Sequence, residues 1–438
     1  MGLQDLIVTP IYLLLLYALA YWIRPKVTNS DTRKYFIPGL TVKFVGAIAL
    51  GFVYQFYYEG GDTMNYYNWG AKIVWEAFLD SPTKAISLIT AGAEYPADAF
   101  QYASRIIFFG DLPSYSIVRV AGLLAIFTLN SYYAISLCFA AISFSGTWAL
   151  FYALDKYSPW IGKWTALAVL FIPSVFFWGS GILKDTLTFA SLGFFIYSLL
   201  EIVKWKRVTL LNFIILLGST YVLYHIKIYI ALSLIPGAVL FIYFFYFSRA
   251  VKSTVMRILL TPILIVGVLY SMYFAALKLG EDNRKYSLDS MIETARVSAE
   301  WLYYVSQVEG GSAYSLGDDD FSPPGLVRKF VPGVWVSLFR PYIWEVRNPV
   351  MLLTAIESLL LLWLFGYTLV KTGFVSFFGF LIKDPLMSFF FLFTIVFCFA
   401  IGVSTFNFGS LARYRIPVIP LFAYSLFFVQ FKRQDSRR

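Results

Sequence analysis

Residues 39–70 read GLTVKFVGAIALGFVYQFYYEGGDTMNYYNWG. The first part, to about residue 57, is apolar and of the length a helix needs to cross a bilayer, about 20 residues. The second part, Tyr57–Gly70, sets Asp62 between a glycine pair and a cluster of tyrosines and asparagines. An acid at the mouth of a membrane helix is costly there, and it serves chemistry or a ligand more often than stability. Asp62 is therefore expected at the centre of a site on the outer face of a membrane, and the rest of the chain is read outward from it.

Composition agrees with a membrane setting. Of 438 residues, 59% are hydrophobic, 20% aromatic and only 14% charged, with a mean hydropathy of +0.70. Such a chain is a polytopic membrane protein. The first run, residues 6–23, lacks a basic leader and is followed by RPK rather than a cleavage site of small residues, so it is read as a retained helix. Cys138 and Cys398 lie inside apolar runs and suggest packing, without a disulfide framework or a thiolate metal site. The single histidine, His225, excludes a multi-histidine metal centre. A net charge of +10 invites a nucleic-acid partner, but the basic residues sit in short clusters at the ends of apolar runs, where the positive-inside bias puts them.

Apolar runs occur near residues 5–23, 39–57, 131–154, 164–179, 186–203, 208–224, 227–247, 257–277, 349–371, 386–404 and 413–431, about eleven spans. Lysine and arginine clusters follow alternate spans: Arg24 to Lys34, Lys156 and Lys163, Lys204 to Arg207, Arg249 to Arg257, Lys371 and Lys383, and the C-terminal group from Lys432. All fall on one side if the N-terminus is outside and the C-terminus cytoplasmic. That topology requires the apolar segment 115–129 to lie in or near the outer interface rather than cross. The expected architecture is thus an all-α integral membrane bundle, one domain over residues 1–438, with outer loops at about 58–130 and 278–348. Stretches such as AKIVWEAFL and ASRIIFF in the first loop suit helices lying along the interface.

Several groups then carry the chemistry. Asp62 can act as general base toward an acceptor hydroxyl or help hold a divalent cation on a phosphate; it can equally cap the helix after it. Lys184 and Asp185 stand together after the glycine break in PSVFFWGSGILKDTL, with a helix cap as the plainer role for Asp185. Arg413 and Arg415, in GSLARYRIPVIP, lie on the outer side against the charge bias; a guanidinium fork suits a phosphate, and headgroup snorkelling is the alternative. Arg340, with Arg328 and Lys329 upstream and Trp335 and Trp344 beside it, could bind the head of a lipid-linked substrate or anchor the loop. Lys227 is a further phosphate contact, whereas His225 reads as a structural histidine and the acids at 318–320 as a solvated turn. Tyr66 and Trp69, from the cluster after Asp62, are candidates for contact with the substrate. No GxxxxGK[ST], HExxH, GxSxG or haem-type motif occurs. Charges inside the spans are scarce, Glu357 excepted, which favours chemistry at the outer surface over ion-coupled transport.

These motifs resemble the multi-spanning GT-C glycosyltransferases that use polyprenyl-phosphate sugars as donors: an early outer-loop Asp followed by Tyr (GGDTMNYY), a second acid after a proline-ended span (IPSVFFWGSGILKD) and a late RYRIPVIP. The likeness covers about the first 250 residues and the last span. Two features differ: an extra span precedes the one leading to Asp62, and the first loop has GGDT in place of an acidic DE pair. GGDT followed by Tyr is also similar to the EpsG-type and O-antigen polymerase proteins. The resemblance implies Asp62 as the catalytic base or a metal-associated carboxylate, with Mg or Mn as the cation in the second case, and Asp185 as second acid. Arg413, Arg415 and Lys227 would lie at the phosphate. The expected activity is sugar transfer from a polyprenyl-phosphate donor to a glycan, lipid or protein acceptor on the outer face of a bacterial inner membrane. The alternatives are a polymerase acting on polyprenyl-diphosphate oligosaccharides and a lipid or glycan transporter without chemistry.

Overall fold

The structure is a computed structural model, and it describes residues 2–250, 267, 270, 288–308, 312–317 and 320–435. Among these residues the chain is helical throughout, with one isolated antiparallel bridge between Ala313 and Asn407. Among the described residues seven helices are long and apolar enough to cross a membrane: Gln4–Val27, Arg33–Tyr57, Tyr132–Tyr157, Lys184–Val203, Ile228–Tyr246, Pro349–Thr372 and Pro385–Thr405. The chain is thus a multi-pass helical membrane protein. It divides into two compact units, residues 1–200 with 208–228 and residues 201–207 with 229–438.

In the first unit α1 (Leu3–Val27) and α2 (Arg33–Phe52) lie against α8 (Tyr132–Tyr157). Phe36 of α2 meets Phe144 and Trp148 of α8 edge to face, at 5.1 and 4.8 Å between ring centres. Outward-facing Leu14, Leu15 and Trp22 give α1 the apolar surface of a lipid-facing helix. Between α2 and α8 come α3 (Asp62–Tyr66), α4 (Lys72–Asp80), α5 (Pro82–Thr90), α6 (Phe100–Ala103) and α7 (Leu112–Phe127). They share a core in which Ile73, Val74 and Ala77 of α4 pack with Ile117, Val118 and Ala121 of α7, and which Ile135 and Phe139 of α8 join. Gly122 lets α7 approach Val74, and Gly70 lets the chain before α4 approach Val118. At 16 residues α7 falls short of a full crossing by length.

The apolar run at 164–179 is two short helices, α9 (Gly162–Leu170) and α10 (Pro173–Trp178), instead of one span. Pro173 cannot continue a helix, and it forces Ile172 before it into an extended conformation, ψ 124°. The chain then turns through Gly179–Leu183 into α11 (Lys184–Val203). In turn α12 (Leu210–Ile226), 17 residues long, ends the first unit. The crossing of α8 and α11 is glycine to glycine: a Cβ at Gly146 would stand 2.1 Å from the Ala190 carbonyl oxygen, and one at Gly193 would stand 2.0 Å from the Gly146 carbonyl oxygen. Small residues are what allow membrane helices such close approach.

The second unit contains α13 (Ile228–Ala250), α14 (Leu288–Val308), α15 (Pro323–Phe339), α16 (Pro349–Thr372), α17 (Phe374–Lys383) and α18 (Pro385–Thr405). It closes with α19 (Phe408–Tyr414) and α20 (Ile419–Asp435), bent by 65° where the sequence suggests one span at 413–431. Pro417 and Pro420 account for the break. Gly333 of α15 and Gly402 of α18 are in close apposition, and the Ser337 hydroxyl donates across the same contact to the Cys398 carbonyl at 2.7 Å. The apolar run at 257–277 lies outside the described residues.

Gly146→Ala is expected to destabilise the protein by about 1–3 kcal/mol, the usual cost of overpacking a backbone contact. Gly218→Ala on α12, where a Cβ meets nothing within 4 Å, is expected to be neutral. Thermal unfolding of both variants in detergent checks the pair.

Candidate functional site

The loop after α2 is shaped by its backbone. The ladder of α2 loosens into a π turn at Val53–Tyr57, and the Gly60 amide then donates back to the Tyr54 carbonyl at 3.0 Å. Glu59 is held at φ 52°, a left-handed conformation that glutamate seldom adopts, and Gly61 at φ 105°. A Cβ at Gly61 would meet the Tyr54 ring at 2.7 Å, so both the angle and the space require glycine. Gly61 takes the cap position of α3, and exposed Asp62 is its first residue, an acid in the first turn of the helix.

The residues after Asp62 divide by face. Thr63 is buried and shares a hydrogen bond of 2.9 Å with the Tyr132 hydroxyl. Tyr66, expected to touch substrate, is 3% exposed, with its ring 4.6 Å from that of Phe108. It sits one helical turn from Asp62 but points into the core of the helical layer. Trp69, by contrast, is 52% exposed.

The structure brings Lys184, Asp185 and Lys227 together. Asp185 in the first turn of α11 pairs with Lys227, which caps the C-terminus of α12, at 2.5 Å. Their side chains are 1% and 7% exposed. Each sits where a helix dipole favours it, the acid at an N-terminus and the cation at a C-terminus. Removing one partner of such a buried pair strands the other charge. Lys184 reaches the other way and pairs with Asp111 at 3.3 Å, keeping 21% of its side chain exposed. Its charged neighbours are Asp111, then Lys227 and Asp62. Asp111 also accepts a short hydrogen bond from Ser114. It precedes the apolar helix α7 in GDLP, a sequence that reads as a helix start, which hides its part in the cluster.

A second residue hidden in the sequence holds this turn in place. Lys43, midway along α2 and 1% exposed, donates to the carbonyls of Gly179 at 2.9 Å and Val175 at 3.2 Å, and to the Ser143 hydroxyl at 3.0 Å. Gly181 packs its backbone against Leu50 of α2. The only sign of Lys43 in the sequence is one cation within an apolar run. His225 stacks on Tyr221, rings 9° from parallel, the structural role its isolation suggested.

The other expected phosphate ligands belong to the second unit. Arg415 is fully buried at the bend before α20 and donates to the Arg340 carbonyl at 3.0 Å, the Ser337 carbonyl at 3.4 Å and the Glu357 carboxylate at 3.4 Å. It braces the broken helix and is not displayed to a surface ligand. Arg340 is forked onto Glu345, and its guanidinium also lies 5.2 Å from the centre of the Phe408 ring. Arg413 ends α19 in a half-buried position, 5.9 Å from the Tyr414 ring centre. Lys329 is buried and donates to the Asp320 carbonyl. Arg328 pairs with the Asp320 side chain at 2.6 Å. Among the described residues no group of three or more His, Cys, Asp or Glu stands close enough to hold a metal ion by itself. No protein-family model, curated protein or solved structure matches the chain.

Asp185→Asn and Lys227→Met, made singly, are each expected to cost about 3–5 kcal/mol, and the double variant is expected to recover much of that loss. A double-mutant cycle on unfolding midpoints measures the difference.

Proposed function

We propose that the chain is a glycosyltransferase of the bacterial inner membrane, moving a sugar from a polyprenyl-phosphate donor to a glycan, lipid or protein acceptor on the outer face. The observation that carries this reading is the charge cluster of the first unit: Lys184, part-exposed, among Asp111, Asp62 and the buried Asp185–Lys227 pair. Acids and a cation at the mouths of membrane helices suit the transfer of a group between two lipid-surface substrates. Asp62 takes the proton of the acceptor hydroxyl as that oxygen bonds to the anomeric carbon. The bond from that carbon to the donor phosphate breaks, and Lys184 stabilises the charge that gathers on the leaving phosphate. Asp185 and Lys227 orient the turn that carries Lys184. Within the second unit Arg340 and Arg415 serve internal partners, Glu345 and Glu357. In the alternative role for Asp62, its carboxylate would hold a divalent cation, Mg²⁺ or Mn²⁺, which would supply charge stabilisation at the donor phosphate.

The finer topology belongs to the same proposal. The seven long helices, the bent pair α19–α20, the broken pair α9–α10, α12 and the run at 257–277 make eleven crossings, with α7 at the outer interface. The N-terminus is then outside and the C-terminus cytoplasmic. One observation favours a transporter instead: Lys43 is a charge buried midway along a span, as transport pathways often require. Its partners are two main-chain carbonyls and a serine, which suits a structural tie better than a moving cation site.

Purified protein in liposomes with radiolabelled polyprenyl-phosphate sugar is expected to release polyprenyl phosphate and glycosylate the acceptor. Asp62→Asn is expected to slow this by about 100-fold or more. Chain growth from a diphosphate-linked oligosaccharide would make the protein a polymerase, and movement of label without bond cleavage would make it a transporter. For the topology, a C-terminal fluorescent-protein fusion should glow and a C-terminal alkaline phosphatase fusion should be inactive; the opposite pattern would invert the whole arrangement.

A further inference from the structure

A cavity of about 350 Å³ opens in the first unit between the start of α1, the π turn that ends α2 and the start of α8. That is within the range of small-ligand pockets, about 300–1,000 Å³. Among the described residues its wall holds no lysine or arginine, and its two carboxylates disfavour a phosphate, unlike the cluster around Lys184. Instead it combines two carboxylates (Asp5, Glu59), two side-chain amides (Gln55, Asn68) and the rings of several tyrosines. Planar amides and carboxylates together accept from and donate to adjacent hydroxyl groups, and aromatic faces cover the C–H face of a ring. We propose that this cavity is a subsite for the ring of an uncharged sugar.

The wall is built in advance. Asp5 Oδ1 accepts from the Ser131 hydroxyl at 2.7 Å and the Tyr133 amide at 3.4 Å, which fixes the carboxylate at the cavity rim. The Tyr133 hydroxyl donates to Gln55 Oε1 at 3.1 Å, which turns the amide NH2 of Gln55 away from Tyr133 as a donor. Tyr67 is anchored through its hydroxyl to the Asn130 carbonyl at 2.8 Å. Burial, with Asp5 nearby, pushes the Tyr67 phenol up to about 12, so it stays a neutral hydroxyl at physiological pH. Glu59 owes its place to the left-handed turn at φ 52°, a conformation that the surrounding structure must over-determine for such a side chain. Asn68 is exposed beside it on the cavity wall. Thr63, next to Asp62, bonds to Tyr132 of the same wall, so Asp62 and the cavity are coupled through one short helix.

That the bound sugar is one partner of the transfer rests on the function proposed above; that the cavity binds a sugar does not. Saturation-transfer NMR on the protein in nanodiscs, with methyl glycosides of glucose, galactose, mannose and N-acetylglucosamine, reads binding without turnover. At least one glycoside is expected to receive saturation on its ring protons. Glu59→Ala and Asn68→Ala, both exposed positions that should leave the unfolding midpoint unchanged, are expected to weaken its affinity by about tenfold each. Asp62→Asn should keep the signal. No transfer to any of the four glycosides, or the same affinity in the Glu59 and Asn68 variants as in the parent, would overturn the assignment. Sugar binding by a protein that transfers nothing would refute the proposed activity alone; transfer without such binding would refute the cavity alone.

Discussion

A helix broken within a membrane leaves carbonyl oxygens that hydrocarbon cannot satisfy. The first unit breaks a helix at Ile172–Pro173 and ends the next piece at Trp178, and Lys43 donates there to the Gly179 carbonyl and to that of Val175, which also accepts from the Gly179 amide. This one side chain joins α2 to α10 and, through Ser143, to α8. The turn at Gly179–Leu183 is thereby held against α2, and with it the position from which Lys184 and Asp185 begin α11. The charge cluster depends on that tie. Its own bonds fix directions within it, whereas Lys43 fixes where it stands.

The spans were legible because lipid demands long apolar helices, and seven of the runs carry through with ends shifted by a few residues. Proline was the main obstacle. IPSVFFW and RIPVIP read as parts of continuous runs because hydropathy averages over a residue that breaks the hydrogen-bond ladder. Asp185 and Lys184 were legible as a pair after a glycine break. The partnership of Asp185 with Lys227 was not, since 42 residues of α11 and α12 separate them. Asp111 was hidden by its ordinary role at a helix start. A tyrosine cluster does not tell which rings face inward; for Tyr66 that is decided by the packing of α7 and by Phe108. Arg415 illustrates the same limit, since nothing in RYRIP tells that its guanidinium turns inward to the end of α15 and to Glu357 of α16.

The two units use their buried cations in a similar way. In each, a long cationic side chain reaches main-chain carbonyls near the end of another helix: Lys43 at the end of α10 in the first, Arg415 at the end of α15 in the second. A cation with several donors is well suited to this, because one residue can satisfy two or three carbonyls at once. Arg415 adds a carboxylate partner, Glu357, and so its charge is offset inside the unit. Lys43 is held by neutral acceptors and by the face of Phe189, 5.0 Å away. The scarcity of charge in the spans thus conceals how much of it is assigned to repairing the backbone.

The turn at Glu59–Gly61 separates two kinds of information. Its shape is written in backbone stereochemistry, a left-handed glutamate followed by a glycine pressed on Tyr54, and no side-chain chemistry at those points can substitute for it. The surfaces it presents, the wall at Gln55, Tyr67 and Asn68 and the carboxylate of Asp62, are written in side chains alone. A protein so divided can change what it recognises without changing how it folds. Laboratory diversification at 55, 67 and 68 with 54 and 61 held constant would explore new ligands on an unaltered frame.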